Sequence, residues 1–399
     1  METNVDARRL CPICDHRENH VVFRQQFTEI SMGSLLSGYD VVVCHGCGFA
    51  YADHIPDQAA FDAYYRDMSK YEFQGPGGKE EFDVPRFRAI TEILGSIAPR
   101  DASILEIGCA TGGQLGALKE SGYEKLVGLD PSPLCVETTK RLYGVDAVCG
   151  SLAELVGSQR RFDVILMSNV LEHIPDVRPA LAGLRQLLRD DGILFVEVPN
   201  VIEFSRWDDA PFQQFSTEHI NFFSPRTLAN LLQTAGFMLV RCEQNSYAVA
   251  PGQTWPAIDA VFRRSTLELP QTHVEKDSFT EAALAEYVAK SRRVEARILG
   301  TIDELVASGR PIVVWGVGTY TQRLLSTSRL GEAVIAAFVD ANPHYQGKQL
   351  HGVPIIPSEA LAGRTEPILI SSRVFQGEIA KQIRETLRLD NALYTLYEL

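Results

Sequence analysis

Four cysteines near the start of the chain have the spacing of metal ligands. Cys11-Pro12-Ile13-Cys14 and Cys44-His45-Gly46-Cys47 are two C-x-x-C pairs with 29 residues between them. Four soft thiolates in two tight turns suit one tetrahedral zinc ion, and with all four positions filled by protein its role is structural rather than catalytic. An iron–sulfur cluster or two reduced, buried pairs are the alternatives. Cys109, Cys135, Cys149 and Cys242 stand alone and carry no such pattern.

A second constellation begins at Ile104-Leu105-Glu106-Ile107-Gly108-Cys109-Ala110-Thr111-Gly112-Gly113, where an apolar strand gives way to a glycine-rich turn. Glycines there let the backbone approach a ligand. About twenty residues further on, the next strand ends in Gly128-Leu129-Asp130, an acid placed to accept from the two hydroxyls of a ribose. The turn reads G-x-x-x-G-G, whereas a dinucleotide site would have G-x-G-x-x-G. The third constellation is Phe215-Ser216-Thr217-Glu218-His219-Ile220-Asn221-Phe222-Phe223-Ser224. Its imidazole beside a carboxylate is a candidate general base near neutral pH.

The elements that must carry these residues follow from periodicity. Residues 1 to about 55 read as short strands around the cysteines. Residues 57 to about 100 read as helix, interrupted at Gln74-Gly75-Pro76-Gly77-Gly78, which serves either as a ligand-covering loop or as a linker. From Ser103 apolar strands (103–107, 125–129, 163–167, 192–198, 238–244) alternate with amphipathic helices (113–121, 133–142, 177–189, 225–235), the signature of a parallel sheet covered on both faces. Ser224 before Pro225 reads as a helix cap with proline at the first helical position. A long helix follows at about 279–307, with Ser278-Phe279-Thr280-Glu281 as a capping box, and strands at 311–316, 334–340 and 367–371 begin a second α/β series. The fold class is α/β, with segments 1–56 (metal module), 57–248 (helical lid and Rossmann-like domain) and 249–399 (linker, long helix and second α/β domain).

The length of 399 residues suits two or three domains. Lys plus Arg is 38 against Asp plus Glu 51, a net charge of -13 that argues against nucleic acid as the main partner. No apolar run is long enough to span a membrane, and the chain start has no signal-peptide pattern, so a cytoplasmic, membrane-free protein is expected. The oligomeric state is open.

The glycine turn, Asp130, Ser151-Leu152 at the next strand end, and Phe162-Asp163-Val164-Ile165 leading to Asn169-Val170-Leu171-Glu172-His173-Ile174 resemble the class I S-adenosylmethionine-dependent methyltransferases. The resemblance implies that Glu106, Gly108 and Gly112 line the methionine end of the donor and that Asp130 holds its ribose. Ser151 and Leu152 then flank the adenine, and Asn169 belongs to the same site. The family commonly has Asp at the adenine position, where this chain has Ser151. His173 takes a donor-facing or structural place in this motif.

The wider arrangement is similar to the nucleotide-sugar C-methyltransferases: a zinc module with two C-x-x-C pairs, a donor domain, an E-H-x-x-x-F-S segment and a C-terminal α/β domain. That resemblance covers nearly the full chain. It implies a small nucleotide-linked keto-deoxysugar as acceptor, His219 as the base that forms an enolate, Glu218 as its neighbour and Tyr71 as the assisting loop tyrosine. Tyr64 and Tyr65 are the reserves for that last role. O-methylation of a sugar hydroxyl or glycan end is the alternative activity. The family often has a Tyr where this chain has Ser216. Its C-terminal glycine turn continues with small residues and a Lys, where Gly316-Val317-Gly318-Thr319-Tyr320 is bulkier. This second turn either holds a polar acceptor group or binds nothing, and Asp340 after the next strand is the companion residue.

Overall fold

The computed structural model describes residues 9–73, 79–207, 209–250, 253–265 and 274–397; the chain start and the Gln74–Gly78 break lie outside them. The chain forms two compact units. One comprises Met1–Val22, Val42–Trp207 and His219–Leu284, the other Phe23–Val41, Asp208–Glu218 and Ala285–Leu399. Both are discontinuous in sequence, so residues 23–41 and 208–218 group with 285–399.

In chain order the first strands are β1 (Asn19–Gln26), β2 (Gly38–Cys44) and β3 (Ala50–Asp53), followed by the helices α1 (Gln58–Met68) and α2 (Asp83–Ile97). The central strands are β4 (Ser103–Ile107), β5 (Lys125–Asp130), β6 (Asp146–Cys149), β7 (Phe162–Ser168) and β8 (Leu188–Pro199). After them come β9 (Asn221–Phe222), β10 (Phe237–Ala250) and β11 (Gln253–Arg264). The helices between are α3 (Gly113–Glu120), α4 (Pro133–Tyr143), α5 (Leu152–Val156), α6 (Val177–Leu187) and α7 (Pro225–Thr234).

The central sheet of the first unit runs β10-β11-β8-β7-β4-β5-β6. The five strands β4 to β8 are parallel, and β11 pairs antiparallel with both β8 and β10. The parallel strands are nearly continuous apolar runs because both faces are covered. Their alternation sorts the core in two. Leu105, Ile107, Ile165, Met167, Leu194 and Val196 pack in one cluster with Leu181, Leu184 and Leu187 of α6 and Leu228, Leu231 and Leu232 of α7. Ile104, Val164, Leu166, Ile193, Phe195 and Val261 pack in the other with Ile90, Ile93 and Leu94 of α2 and Leu115 and Leu118 of α3. The buried aliphatic side chains of α6, at positions 177, 181, 184 and 187, follow the helical repeat that the sequence displays.

Two details differ from the sequence reading. The sequence reading places no strand between 249 and 278, whereas the structure has β11 there, with Pro256 opposite Ser246 of β10. The long helix α8 (Thr280–Ala307) is capped not by Ser278 but by Asp277. The Asp277 carboxylate accepts from Phe279 N (2.7 Å), Thr280 Oγ1 (2.7 Å) and Ser224 Oγ (2.5 Å), and its own N–H donates to Cys47 O (2.9 Å). This brings Asp277 onto the second cysteine turn, where Gly48 at φ +76 has the Asp277 carbonyl oxygen 2.1 Å from any added Cβ.

The second unit takes most of α8 and builds a six-stranded sheet from β12 (Ile312–Trp315), β13 (Ile335–Val339), β14 (Gln349–Leu350), β15 (Val353–Ile356), β16 (Ile368–Ile370) and β17 (Leu393–Thr395). Its order is β14-β15-β13-β12-β16-β17, parallel except for the β14–β15 hairpin. The helix α9 (Thr319–Thr327) follows the Gly316-Val317-Gly318 turn. Arg323 of α9 is buried, paired with Glu295 of α8 (3.0 and 3.1 Å), bonded to Gln25 Oε1 (2.6 Å) and stacked over Phe212 (4.2 Å). One guanidinium thereby holds the 23–41 and 208–218 segments within this unit. Among the described residues no helix is long and apolar enough to cross a membrane.

Candidate active site and cysteine cluster

In the first unit a cavity of about 590 Å³ sits at the carboxyl ends of β4, β5, β6 and β7. Ligands of parallel α/β sheets bind at this edge. Its wall includes Glu106 of β4 with Gly108, Cys109 and Ala110 after it, Leu129 and Asp130 of β5, Ser151 and Leu152 after β6, and Ser168 at the end of β7 with Asn169 after it. Gly112 is not part of the wall, but its φ of +87 turns the chain into α3, and an added Cβ would lie 2.7 Å from Thr139.

Asp130 fixes the shape of the loop that faces it. Its carboxylate accepts Ala110 N–H at 2.8 Å and Ser132 N–H at 2.9 Å. Ala110 has φ +46, a conformation costly for a residue with a Cβ and held here by that bond. Burial pushes the Asp130 carboxyl up to about 6, with the two backbone N–H groups pulling the other way. Burial pushes Glu106 up to about 8, partly offset by nearby Arg86. Glu106 Oε2, Ser168 Oγ and Asn169 Oδ1 are buried polar atoms on this wall with no hydrogen-bond partner, so the site suits a polar ligand. The hydroxyl and N–H of Ser151 both go to Glu154 Oε2 (2.6 Å each), a capping box that starts α5.

An arginine that the sequence did not single out completes this side. Arg86 of α2 is the one Arg or Lys on the cavity wall among the described residues. Its Nη1 donates to Glu197 Oε1 at 2.7 Å, and Asn169 Nδ2 donates to the same oxygen at 3.0 Å. An arginine in an amphipathic helix ordinarily faces solvent; the fully buried Glu197 of β8, with Asp83 one turn away at 3.7 Å, accounts for its place here.

The opposite side of the cavity gathers Tyr65, Tyr71, Glu172, His173 and His219. Tyr65 OH is 2.9 Å from His173 Nδ1, and the His173 and His219 rings meet edge to face with centroids 4.9 Å apart. The loop bearing His219 is stitched to the turn bearing His173. Ile220 N donates to Glu172 O (2.9 Å), and the Asn221 side-chain amide donates to Leu171 O (3.1 Å) and Ile174 O (2.8 Å). Burial lowers the His219 pKa well below the usual imidazole value, and nearby His173 and Lys70 push it the same way. Tyr71 sits on a short turn whose Glu72 accepts a hydrogen bond from Ser132 Oγ. Tyr64 packs edge to face on Tyr65 (5.4 Å) but is not part of the wall, and neither is Glu218, which is buried with its N–H on Ser216 Oγ (3.3 Å).

The cysteine pairs converge in the same unit. Cys11 Sγ lies 3.5 Å from Cys47 Sγ, and Cys14 Sγ 3.5 Å from Cys44 Sγ, with all four sulfurs within 4.8 Å of one another. These separations are too long for disulfides and close to the edge of a tetrahedron of thiolates about 2.3 Å from a central ion. In the second unit Asp340 repeats the bonding of Asp130: it accepts Val317 N–H (2.9 Å) and Asn342 N–H (2.8 Å) across the glycine turn.

Comparison with known proteins agrees with this geometry. Residues 81–241 match the family model described as a methyltransferase domain, and residues 267–394 match that of a C-methyltransferase C-terminal domain. The chain is 25% identical over 343 residues to the C-methyltransferase NovU of Streptomyces niveus, covering 83% of this chain and 79% of that protein. It is 29% identical over 188 residues to a probable S-adenosylmethionine-dependent methyltransferase of Mycolicibacterium smegmatis, covering 47% of this chain and 70% of that one. Among solved structures, an S-adenosylmethionine-dependent methyltransferase from Mesorhizobium loti aligns at 18% identity and TM-score 0.37, over 46% of this chain and 97% of that one. The two matched segments, on either side of residue 250, lead to one assignment: residues 81–241 form a class I S-adenosylmethionine-dependent methyltransferase domain, and residues 267–394 resemble the C-terminal domain of the C-methyltransferases.

Proposed function

We propose that the chain methylates a carbon of a small nucleotide-linked 4-keto-deoxysugar. The observation that carries this reading is the position of His219, a half-buried imidazole on the wall of the cavity that the donor motif also lines. S-Adenosylmethionine supplies an electrophilic methyl group when bound. Asp130 accepts from its ribose, Glu106 and the turn through Gly108 and Gly112 receive its methionine end, and Ser151, Leu152 and Asn169 complete its pocket. His219 takes the proton from the carbon next to the ketone, and the C–H electron pair passes into an enolate. That carbon then forms its bond to the methyl group as the methyl–sulfur bond breaks and its pair stays on sulfur. Tyr71 assists at the enolate oxygen, Tyr65 orients His173 beside the base, and Glu218 supports the His219 loop from outside the cavity.

Segment 1–56 serves as a structural zinc module through Cys11, Cys14, Cys44 and Cys47, segment 57–248 holds the donor, and segment 249–399 carries the linker, the long helix and the second α/β domain. The protein works in the cytoplasm on a small molecule, without nucleic acid or membrane.

The test uses a nucleotide-linked 4-keto-6-deoxysugar in heavy water, with S-adenosylhomocysteine present to fill the donor site. Mass spectrometry follows deuterium entering the sugar. Uptake that His219→Ala abolishes supports the carbon-acid mechanism. No uptake, together with a product methylated on oxygen, replaces it with O-methylation.

A further inference from the structure

Glu172 is a buried carboxyl on the cavity wall for which methyl transfer has no use. It is 1% exposed, and neither carboxylate oxygen has a hydrogen-bond partner. Such a group is expensive to bury unless it is protonated or meets a cation. Its neighbours are placed to share a cation with it. His173 Nε2 is 3.8 Å from Glu172 Oε1, and one ligand atom each from Glu172, His173 and His219 lie within 4.8 Å of one another. Bonds of about 2.0–2.2 Å to one ion would set these atoms roughly 3–3.5 Å apart, so closing the site takes shifts on the order of 1 Å.

The surroundings resemble the support that metal-ligating histidines receive. Tyr65 engages His173 through Nδ1 at 2.9 Å, which leaves Nε2 on the Glu172 side. Two imidazoles and one carboxylate, with further positions opening into the cavity, are borderline ligands. They select zinc, cobalt or nickel dications over magnesium and calcium, which prefer all-oxygen sites.

We propose that Glu172, His173 and His219 form a second metal site, separate from the four cysteines, that takes a transition-metal dication from the cavity and, by engaging the His219 lone pair, stops proton abstraction. The binding half stands by itself; the inhibitory half rests on His219 being the base.

The experiment titrates Co2+ into full-length protein already carrying one equivalent of zinc. The expected result is one further Co2+ per chain, with visible d–d bands and without the thiolate charge-transfer absorption that a cysteine site would show. Glu172→Gln or His173→Gln lowers its affinity at least about tenfold, the loss that removal of even an outer-shell partner causes. Having both variants guards against one that fails to fold. No Co2+ beyond the cysteine cluster, or unchanged affinity in both variants, overturns the site. Deuterium exchange into the keto-sugar is measured in parallel: it falls more than tenfold as the site fills and recovers with a hydroxycarboxylate chelator too weak to strip four thiolates. Exchange that persists with Co2+ bound overturns the inhibitory half. His219→Ala tells the readings apart, since exchange surviving in that variant refutes the base assignment itself.

Discussion

The hydroxyl of Tyr65, on α1, lies 2.9 Å from Nδ1 of His173, on the turn after β7. The pair ties the helix that precedes the donor domain to the imidazole that packs against His219. Tyr65→Phe removes one hydrogen bond and little volume. A bond of this kind is worth about 1 kcal/mol, so we expect methyl transfer to slow about fivefold with the donor dissociation constant unchanged, as single-turnover kinetics and calorimetry would report.

Asn221 is the strut between the His219 loop and the 171–174 turn. Asn221→Ala removes its bonds to Ile174 O and to Leu171 O, the latter keeping only the long bond from Ile174 N–H (3.4 Å), and lowers unfolding stability by about 2 kcal/mol in urea titrations. It also slows turnover more than it weakens donor binding, because the freed loop carries His219, the proposed base, and none of the proposed donor contacts.

With Asp130 as the proposed ribose acceptor, donor affinity depends on its charge. The carboxyl is raised to about 6 by burial, and the ionised form is the one that accepts from ribose hydroxyls. Affinity therefore stays level above pH 7 and falls as pH drops through 6, by up to about tenfold for each further unit. Asp130→Asn binds more weakly and has no such slope. Calorimetry between pH 5 and 8 measures both.

Arg86→Met tests the buried ion pair. Glu197 is fully buried, so removing Arg86 strands its carboxylate, and stability drops by about 3–5 kcal/mol. The double variant Arg86→Met with Glu197→Gln recovers a substantial part of that loss, as chemical denaturation would show.

Cys44→Ser leaves three sulfurs where four converge. Bound zinc per chain should fall, with the melting temperature dropping by roughly 5–10 °C, the scale of a loss of a few kcal/mol in a domain of this size. Metal analysis and calorimetric melting check the two together.

The parallel core was legible because its physics is local. Runs such as Leu105-Glu106-Ile107 and Val164-Ile165-Leu166-Met167, separated by helices of 3.6-residue periodicity, admit few other arrangements. The glycine turn and Asp130 could be read for the same reason, since their geometry follows from a strand, a turn and the next strand. What escaped depends on partners distant in sequence. Arg86 looks like a surface residue until Glu197, 111 positions away, is seen beneath it. Asp277 takes the cap of α8 because Cys47 and Ser224 meet it there. Nothing near Ala110 in the sequence announces its positive φ, which the Asp130 carboxylate imposes from the neighbouring strand.

The wall of the donor cavity draws on residues from Gln58 to Trp255. Contacts of such long sequence separation form late, because the loop-closure entropy of the intervening chain is lost before they contribute. During synthesis the pocket stays incomplete until the β10–β11 hairpin has left the ribosome, although β4 to β7 are already available to pair. In refolding from denaturant, recovery of donor binding should accordingly trail recovery of helical signal.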